Sequence, residues 1–481
     1  MTEKDRFTYV IAGGGTAGWM MAAALARFAP PSVRTVLVES DAIGTVGVGE
    51  ATIPQIHLWH QALGIDEREF MRATKASFKL GIAFDGWTQE GESYMHAFGP
   101  AGRSLGLLPF HQYWLRGRKA GVAKPIAHYS LNELAARNLR MAQVEGGAMP
   151  YAFHFDATLY AGFLRAFAEK RGVTRVEGTI GDVEQDGESG DVAALVMEGG
   201  ERIAGDFFID CTGFRALLIE QALGTGFDDW SQYLPCDRAL AVACAGGGDF
   251  TPYTRATART AGWQWRIPLQ HRIGNGMVYA SAHMSHEEAA DILLANLDGE
   301  PQGDPRPIRF TTGKRRAHWA RNCLALGLAA GFMEPLESTS IHLVQSAISR
   351  FLSVLPTGRG KAATVDWFNA QADFEWERIR DFLVLHYTAN AREGEPFWDA
   401  VRTMALPDTL EAKVAQWRAN GHIHREHEEL FTEVAWFQVL AGQGVDTSGW
   451  NPMADLMSDD ELARFLTDTE TALKRQAQPM P

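Results

Sequence analysis

From Thr8 to Ala12 the chain is apolar and β-branched. It then breaks into Gly13, Gly14, Gly15, Thr16, Ala17 and Gly18 before Trp19 to Phe28, a stretch rich in Ala, Met and Leu. That pattern predicts a strand, a glycine turn and a helix. A second apolar run, Thr35 to Val38, ends at Glu39, about 20 residues beyond the turn, the spacing of a dinucleotide-binding βαβ unit. Gln55 to Ala83 reads as mostly helical, while Gly99 to Gly106 and Gly146 to Pro150 read as loops. Strand signals return from Val173 to Asp210, in Ile180, Val183, Val192, Leu195 and Phe207 to Ile209, and again at Trp263 to Ile267 and Met277 to Ser281. After Ser338 long helices dominate. No repeat period and no Pro- or Ser-rich linker divides the chain, so interleaved modules are expected. The predicted class is an α/β fold: a nucleotide-binding module over 1–100 and 150–350, and a mostly helical module over 101–149 and 351–481.

Composition narrows the class. Hydrophobic residues make up 46% of 481 and charged residues 22%, which excludes a disordered chain. With 45 basic against 59 acidic residues the net charge is -14, so the surface repels a phosphate backbone and nucleic acid is not an expected partner. The segment from Met1 to Phe7 carries acidic residues and no apolar run, unlike a secretory signal. Tyr9 to Phe28 contains the glycine turn, unlike a membrane span; the expected location is the cytoplasm. Four cysteines, Cys211, Cys236, Cys244 and Cys323, lack a CxxC spacing and read as reduced core thiols. His422, His424 and His427 stand beside Glu426, Glu428 and Glu429 and read as a solvated charged helix rather than a metal site.

Seven segments could carry chemistry. Gly13, Gly15 and Gly18 form a GxGxxG turn whose backbone N–H groups can approach a pyrophosphate, with Glu39 placed to accept from a ribose; a packing turn is the bland alternative. Phe207 to Phe214 (FFIDCTGF), Leu324 to Gly331 (LALGLAAG) and Gly47-Val48-Gly49-Glu50 add small-residue approaches in the order of a two-module flavin protein. Met333 to His342 (MEPLESTSIH) leads into Ile341, Val344, Ile348, Phe351, Leu352 and Leu355, an amphipathic helix starting at Ser338 or Thr339. Glu337 then either complements the helix dipole or borders an anion site at the N–H groups of Thr339 and Ser340. Lys79, among Phe78, Leu80, Ile82, Phe84 and Trp87, is either a snorkelling lysine or a desolvated amine able to act as a nucleophile. In GWQWRIP, Trp263, Trp265 and Ile267 share one strand face, as a core wall or as a lid over a cofactor.

Taken together, the Gly13 to Gly18 turn, FKLG around Lys79, GWQWRIP, EPLEST from Glu334 to Thr339, and RIRDFLVLHY with PFW from Arg378 to Trp398 resemble the flavin-dependent tryptophan halogenases, from roughly Phe7 to Asn451. The resemblance implies an FADH2-dependent halogenase of indole or tryptophan type. It would use O2 and chloride or bromide, with FADH2 supplied by a separate flavin reductase. Hypohalous acid would reach Lys79, which captures it as a haloamine or orients it by hydrogen bonding. Glu337 would polarise the oxidant or accept the ring proton, and Thr339 and Ser340 would hold the halide. FAD would lie on Gly13, Gly15, Thr16, Ala17, Gly18, Glu39, Gly49, Ala51, Gly327 and Leu336. His96 and Phe98 would border the aromatic substrate, and Trp263 and Trp265 would wall the flavin side. The module over 1–100 and 150–350 then becomes the FAD-binding module, the other the substrate module. A homodimer is compatible; metal, nucleic acid and membrane are not expected.

The match is incomplete in two places. Ser340 stands where the family commonly has glycine, and Phe431 to Gly444 (FTEVAWFQVLAGQG) lacks the tyrosine pair that free-tryptophan enzymes place at the amino-acid head group. Indole or another electron-rich aromatic, larger than tryptophan included, is therefore the expected substrate, with tryptophan the minority option. The rivals are a flavin-dependent aromatic monooxygenase and a non-catalytic flavin-binding paralogue.

Overall fold

The computed structural model describes residues 6–43, 49–144, 147, 149–246 and 250–481. Of the segments singled out above, Met1 to Asp5, Gly47, Val48, Gly146 and Ala148 lie outside them. The chain divides into two compact units, one of Met1–Ala76, Phe155–Ser231 and Phe310–Trp376, the other of Ser77–His154, Gln232–Arg309 and Glu377–Pro481.

The first unit is built on a six-stranded sheet. Its order is Trp319–Ala320, Cys323–Ala325, Phe207–Asp210, Phe7–Ala12, Val33–Glu39 and Thr174–Glu177. All pairs but the edge hairpin are parallel, with Val10 between Phe208 and Val36. Tyr9, Val10, Ile11 and Ala12 are fully buried, which is why this strand is an unbroken apolar run rather than an alternating one. The helix Thr16–Phe28 follows at once and packs against the helix Ala157–Glu169. The latter starts where Asp156 accepts from the N–H groups of Thr158 and Leu159, an N-cap. A meander of Ile180–Gln185, Val192–Met197 and Arg202–Ala204 and the helix Ser340–Leu352 belong to the same unit.

A seven-stranded sheet forms the second unit, in the order Arg306–Arg309, Arg238–Cys244, Ile273–Tyr279, Gly262–Pro268, Thr254–Arg259, Gly81–Asp85 and Ser93–Ala97. Only Thr254–Arg259 with Gly81–Asp85 is parallel; the other five pairs are antiparallel. Helices Phe110–Lys119, Leu131–Arg137, Pro396–Thr403, Asp408–Asn420, Glu433–Gly442 and Asp459–Ala477 belong to the same unit. A ring cluster anchors it: Phe84 stacks on Tyr94 and His386 at 4.9 and 4.4 Å, and the Tyr94 hydroxyl meets His386 Nδ1 at 2.7 Å.

Three sequence expectations change. The units are cut differently from 1–100 with 150–350 and 101–149 with 351–481. The Trp263 and Met277 strands join the unit that holds the late helices, because they pair with each other and, through Thr254–Arg259, with the Gly81 strand. The helical reading of Gln55 to Ala83 holds for Ile56–Leu63 and Glu67–Thr74 only. Lys75 takes a left-handed conformation at φ 54° and ends the second helix, and Ser77–Lys79 becomes a strand paired antiparallel with Ala152–Phe155. His422, His424 and His427 are not on a helix: Gly421, at φ 66°, terminates Asp408–Asn420, and the following chain is loop. There Lys413 donates to the His424 carbonyl at 2.6 Å and to Glu429 at 2.7 Å.

Candidate functional site

In the first unit the glycine turn has the shape that backbone recognition of a ligand requires. A Cβ on Gly13 would stand 2.3 Å from the Cys211 carbonyl oxygen, and one on Gly18 1.9 Å from the Gly13 oxygen. Neither position tolerates a side chain. A Cβ on Gly15, by contrast, would meet nothing within 4 Å. Gly15 is also the N-cap of Thr16–Phe28, with no side-chain cap and no acidic residue in the first turn. A helix leaves its first N–H groups without intrahelical acceptors, so the N–H groups of this turn present a positive helix end with open space above it. The donor set and the open face fit the pyrophosphate of a dinucleotide.

Glu39 closes the second strand beside the turn. Its carboxylate accepts from Arg175 Nε at 2.6 Å and from Trp19 Nε1 at 3.3 Å, and Arg165 lies at 3.6 Å. Gly327, at φ 61°, sits where a Cβ would come 2.9 Å from Ala17, so the LALGLAAG segment passes close to the start of the helix. Gly49 has φ 154° and Ala51 is buried in the strand Glu50–Ala51, where burial pushes the Glu50 carboxyl up to about 7.

The EPLEST segment folds as a 3₁₀ turn, Pro335–Glu337, followed by Ser338 at φ 59° and the helix Ser340–Leu352. Leu336, Glu337 and Thr339 are each about 1% exposed. Thr339 is the N-cap, but its side chain makes no capping bond. Ile341, Val344, Ile348 and Phe351 are buried as the spacing predicts, whereas Leu352 is half-buried and Leu355 lies beyond the end of the helix.

Lys79 belongs to the second unit. It has no exposed surface, and its Nζ lies 5.3 Å from the centroid of the Phe98 ring, a cation–π distance. The strand Ser77–Lys79 pairs with Ala152–Phe155 so that Ser77 faces His154 and Lys79 faces Ala152. His96 and Phe98 flank Ala97 at the end of the edge strand. The His96 ring stands 5.5 Å from Phe382 and 6.1 Å from Phe431, and the Ala97 N–H donates to Gln438 Oε1 at 2.7 Å. Trp263, Trp265 and Ile267 share a face, as expected, and are all buried. Trp265 lies over Gly276 of the neighbouring strand, where a Cβ would come 2.0 Å from the indole, and Trp263 meets Trp265 and Trp87 at 6.0 and 6.3 Å.

Sequence reasoning missed two features. Asp210, fully buried, accepts from the N–H groups of Thr212, Leu218 and Ile219 and from the Thr212 hydroxyl, at 2.6 to 2.9 Å, and so ties FFIDCTGF to the helical turn after it. The Asp-Cys-Thr order was its only signal. His154 had none: its partners, Ser77 and Thr254, are far from it in the chain. The four cysteines are free thiols, and burial, with the Asp210 charge second, pushes Cys211 well above the usual thiol range. Among the described residues no cluster of His, Cys, Asp or Glu could hold a metal ion, and no helix is long and apolar enough to cross a membrane.

Comparison with known proteins agrees along almost the whole chain. The model of a family described as "Tryptophan halogenase" matches residues 8–459. The structure is similar to that of a flavin-dependent halogenase from Xanthomonas campestris, with TM-score 0.97 and 47% identity over 99% of this chain and 96% of that one. A flavin-dependent halogenase from Brevundimonas sp. BAL3 follows at TM-score 0.95 and 42% identity, over 98% and 97%. Among curated relatives, the tryptophan 6-halogenase of Streptomyces toxytricini is 37% identical over 98% of this chain and 97% of its own.

Proposed function

From the chain's membership of the tryptophan halogenase family, and so from its being an FADH2-dependent halogenase, we propose that it halogenates an indole-type arene through the buried amine of Lys79. The observation that carries this reading is Lys79 itself, fully buried with its Nζ over the Phe98 ring. An amine held away from water beside an aromatic face is placed to deliver an electrophile to a ring, a gain from proximity and orientation.

In this reading the chain's own groups divide the work. The first-turn N–H groups at Gly15, Thr16, Ala17 and Gly18 hold the pyrophosphate, with Glu39, Gly49, Ala51, Gly327 and Leu336 along the rest of the cofactor. When bound, the reduced flavin supplies, with O2 and halide, the oxidised halogen. The N–H groups of Thr339 and Ser340 hold the halide at a helix end with no hydroxyl cap. Lys79 receives hypohalous acid and presents the halogen to the arene, which His96 and Phe98 border. A carbon–halogen bond forms, the ring carbon loses its proton to Glu337, and the oxygen leaves as water. Trp263 and Trp265 keep the arene from the flavin, so that halogen rather than oxygen is transferred. A separate flavin reductase supplies FADH2, and the cytoplasm is the compartment.

For the substrate we propose indole or a larger indole-bearing molecule rather than free tryptophan. Phe431, stacked on Phe382 at 3.8 Å, offers a ring and no hydroxyl to an amino-acid head group. The test combines the protein with a flavin reductase, NADH, FAD, bromide and a panel of indoles, read by mass spectrometry. The expected result is a product carrying the bromine isotope pair. A gain of one oxygen would instead establish a monooxygenase, and silence across the panel a protein without turnover.

A further inference from the structure

Next to Lys79 on its strand begins a buried hydrogen-bonded chain, all of it within the second unit. Ser77 precedes Lys79 by two residues on one strand, so their side chains leave the same face. The Ser77 hydroxyl is 2.6 Å from the Pro268 carbonyl and 3.1 Å from His154 Nδ1. His154 Nε2 is 2.9 Å from the Thr254 hydroxyl. Ser77, His154 and Thr254 are all buried, at 3%, 0% and 4% exposure.

Counting protons fixes the direction of every bond. A carbonyl only accepts, so the single Ser77 proton goes to Pro268. The Ser77 oxygen must then accept, which makes His154 Nδ1 the donor. Burial, then the Lys79 charge, then the Arg266 charge lower the His154 pKa well below 6.5, so the ring is neutral near pH 7 and carries one N–H only. Nε2 is therefore an acceptor, and the Thr254 hydroxyl donates to it. No freedom of tautomer or rotamer is left.

We propose that His154, locked between Ser77 and Thr254, is a positioning residue for the Lys79 amine. The chain ties the three-residue lysine strand to Thr254 and Pro268, at the ends of two strands of the seven-stranded sheet. It places a neutral imidazole, rather than a cation, beside the lysine side chain. The inference rests on the role given to Lys79 above. Its consequence is efficiency of transfer rather than binding. If the amine is misplaced, oxidised halogen still forms but escapes as hypohalous acid before reaching the arene.

The experiment measures halogenated indole per FADH2 consumed, with escaped hypohalous acid trapped by a β-diketone scavenger, in Thr254→Val, Thr254→Ser and Ser77→Ala. Thr254→Val removes the donor to Nε2 at nearly constant shape. It is expected to lower product per flavin about tenfold and raise trapped halogen in step, with the indole KM unchanged. Thr254→Ser restores the hydroxyl and should return product per flavin to within about twofold of wild type. Ser77→Ala should behave like Thr254→Val. Wild-type product per flavin in folded Thr254→Val, or Thr254→Ser no better than Thr254→Val, overturns the proposal. In the same assay Lys79→Ala separates the two ideas. Product from that variant sinks the role of the lysine, whereas its loss alongside fully coupled Thr254→Val sinks the role of His154 alone.

Discussion

The glycine turn of the first unit and the lysine strand of the second solve opposite problems. At Gly13 to Gly18 the groups proposed for recognition are backbone N–H donors, and the sequence contributes by leaving side chains out. A Cβ would collide at Gly13 and Gly18 and meets open space at Gly15. At Ser77 to Lys79 the proposed active group is one side chain, and the sequence contributes by surrounding it: Phe98 at 5.3 Å from the amine, His154 opposite Ser77, Thr254 behind the imidazole. A site made of backbone is specified by its own few residues. One made of a buried side chain is specified by whatever distant strands supply its walls.

Substitution should divide the two regions cleanly. The largest effect is expected at Lys79. Lys79→Ala should lower halogenated product by about a thousandfold or more while flavin oxidation and FAD affinity stay near wild type. Product measured by mass spectrometry beside a flavin titration checks both halves, and retained product would remove the amine from the chemistry. Next comes Asp210→Ala, which strips four donors of a fully buried acceptor. A loss of roughly 3 kcal/mol in unfolding free energy is expected, because the donors are left unpaired. A denaturant midpoint unchanged from wild type would show that water replaces the carboxylate.

Gly15→Ala sharpens the contrast at the ligand end. Its φ of -71° and the open space above it leave room for a methyl group in the protein itself. Thermal stability should therefore stay within about 1 °C of wild type, while FAD affinity falls about tenfold because the methyl occupies the approach to the N–H groups. Unchanged affinity in Gly15→Ala would make this a packing turn. Gly18→Ala should instead damage folding, since its Cβ meets a backbone oxygen at 1.9 Å.

The same contrast explains what could be read in advance. The turn, the helix after it, Glu39, and the buried stripe Ile341, Val344, Ile348 and Phe351 were legible because local spacing determines them. The strand under Lys79 was not. Its residues suit an amphipathic helix until Lys75 takes a left-handed conformation and Ala152–Phe155 supplies a partner strand. The late histidines failed for a similar reason, since Gly421 ends the helix that their spacing would continue. The unit boundaries were hidden because a parallel pairing between Gly81–Asp85 and Thr254–Arg259 joins segments that no local signal connects. The roles given to Lys79 and Glu337 came from motif resemblance, and burial alone would not have assigned them.

Acid is the mildest probe, and it should fail to separate the two regions. In the first unit burial lowers His60 and His318 to about 3 and raises Glu50 to about 7. In the second it lowers His111 to about 4 and His154 well below 6.5, and raises Glu133 to about 7. Each depressed histidine refuses a proton that the unfolded chain binds below pH 6.5, so stability falls as pH drops through that value. Each raised carboxyl keeps, in the folded state, a proton that the unfolded chain releases above 4.5, so stability falls as pH rises from there toward 7. In each unit two such histidines outweigh one such carboxyl, so unfolding takes up protons in this range. Each unit should therefore lose stability as pH falls from 6.5 toward 4.5. Urea midpoints followed across that range should shift downward together. A first unit that resists acid while the second collapses would mean that the neutral imidazole behind Lys79 is a specialised device rather than one buried histidine among several.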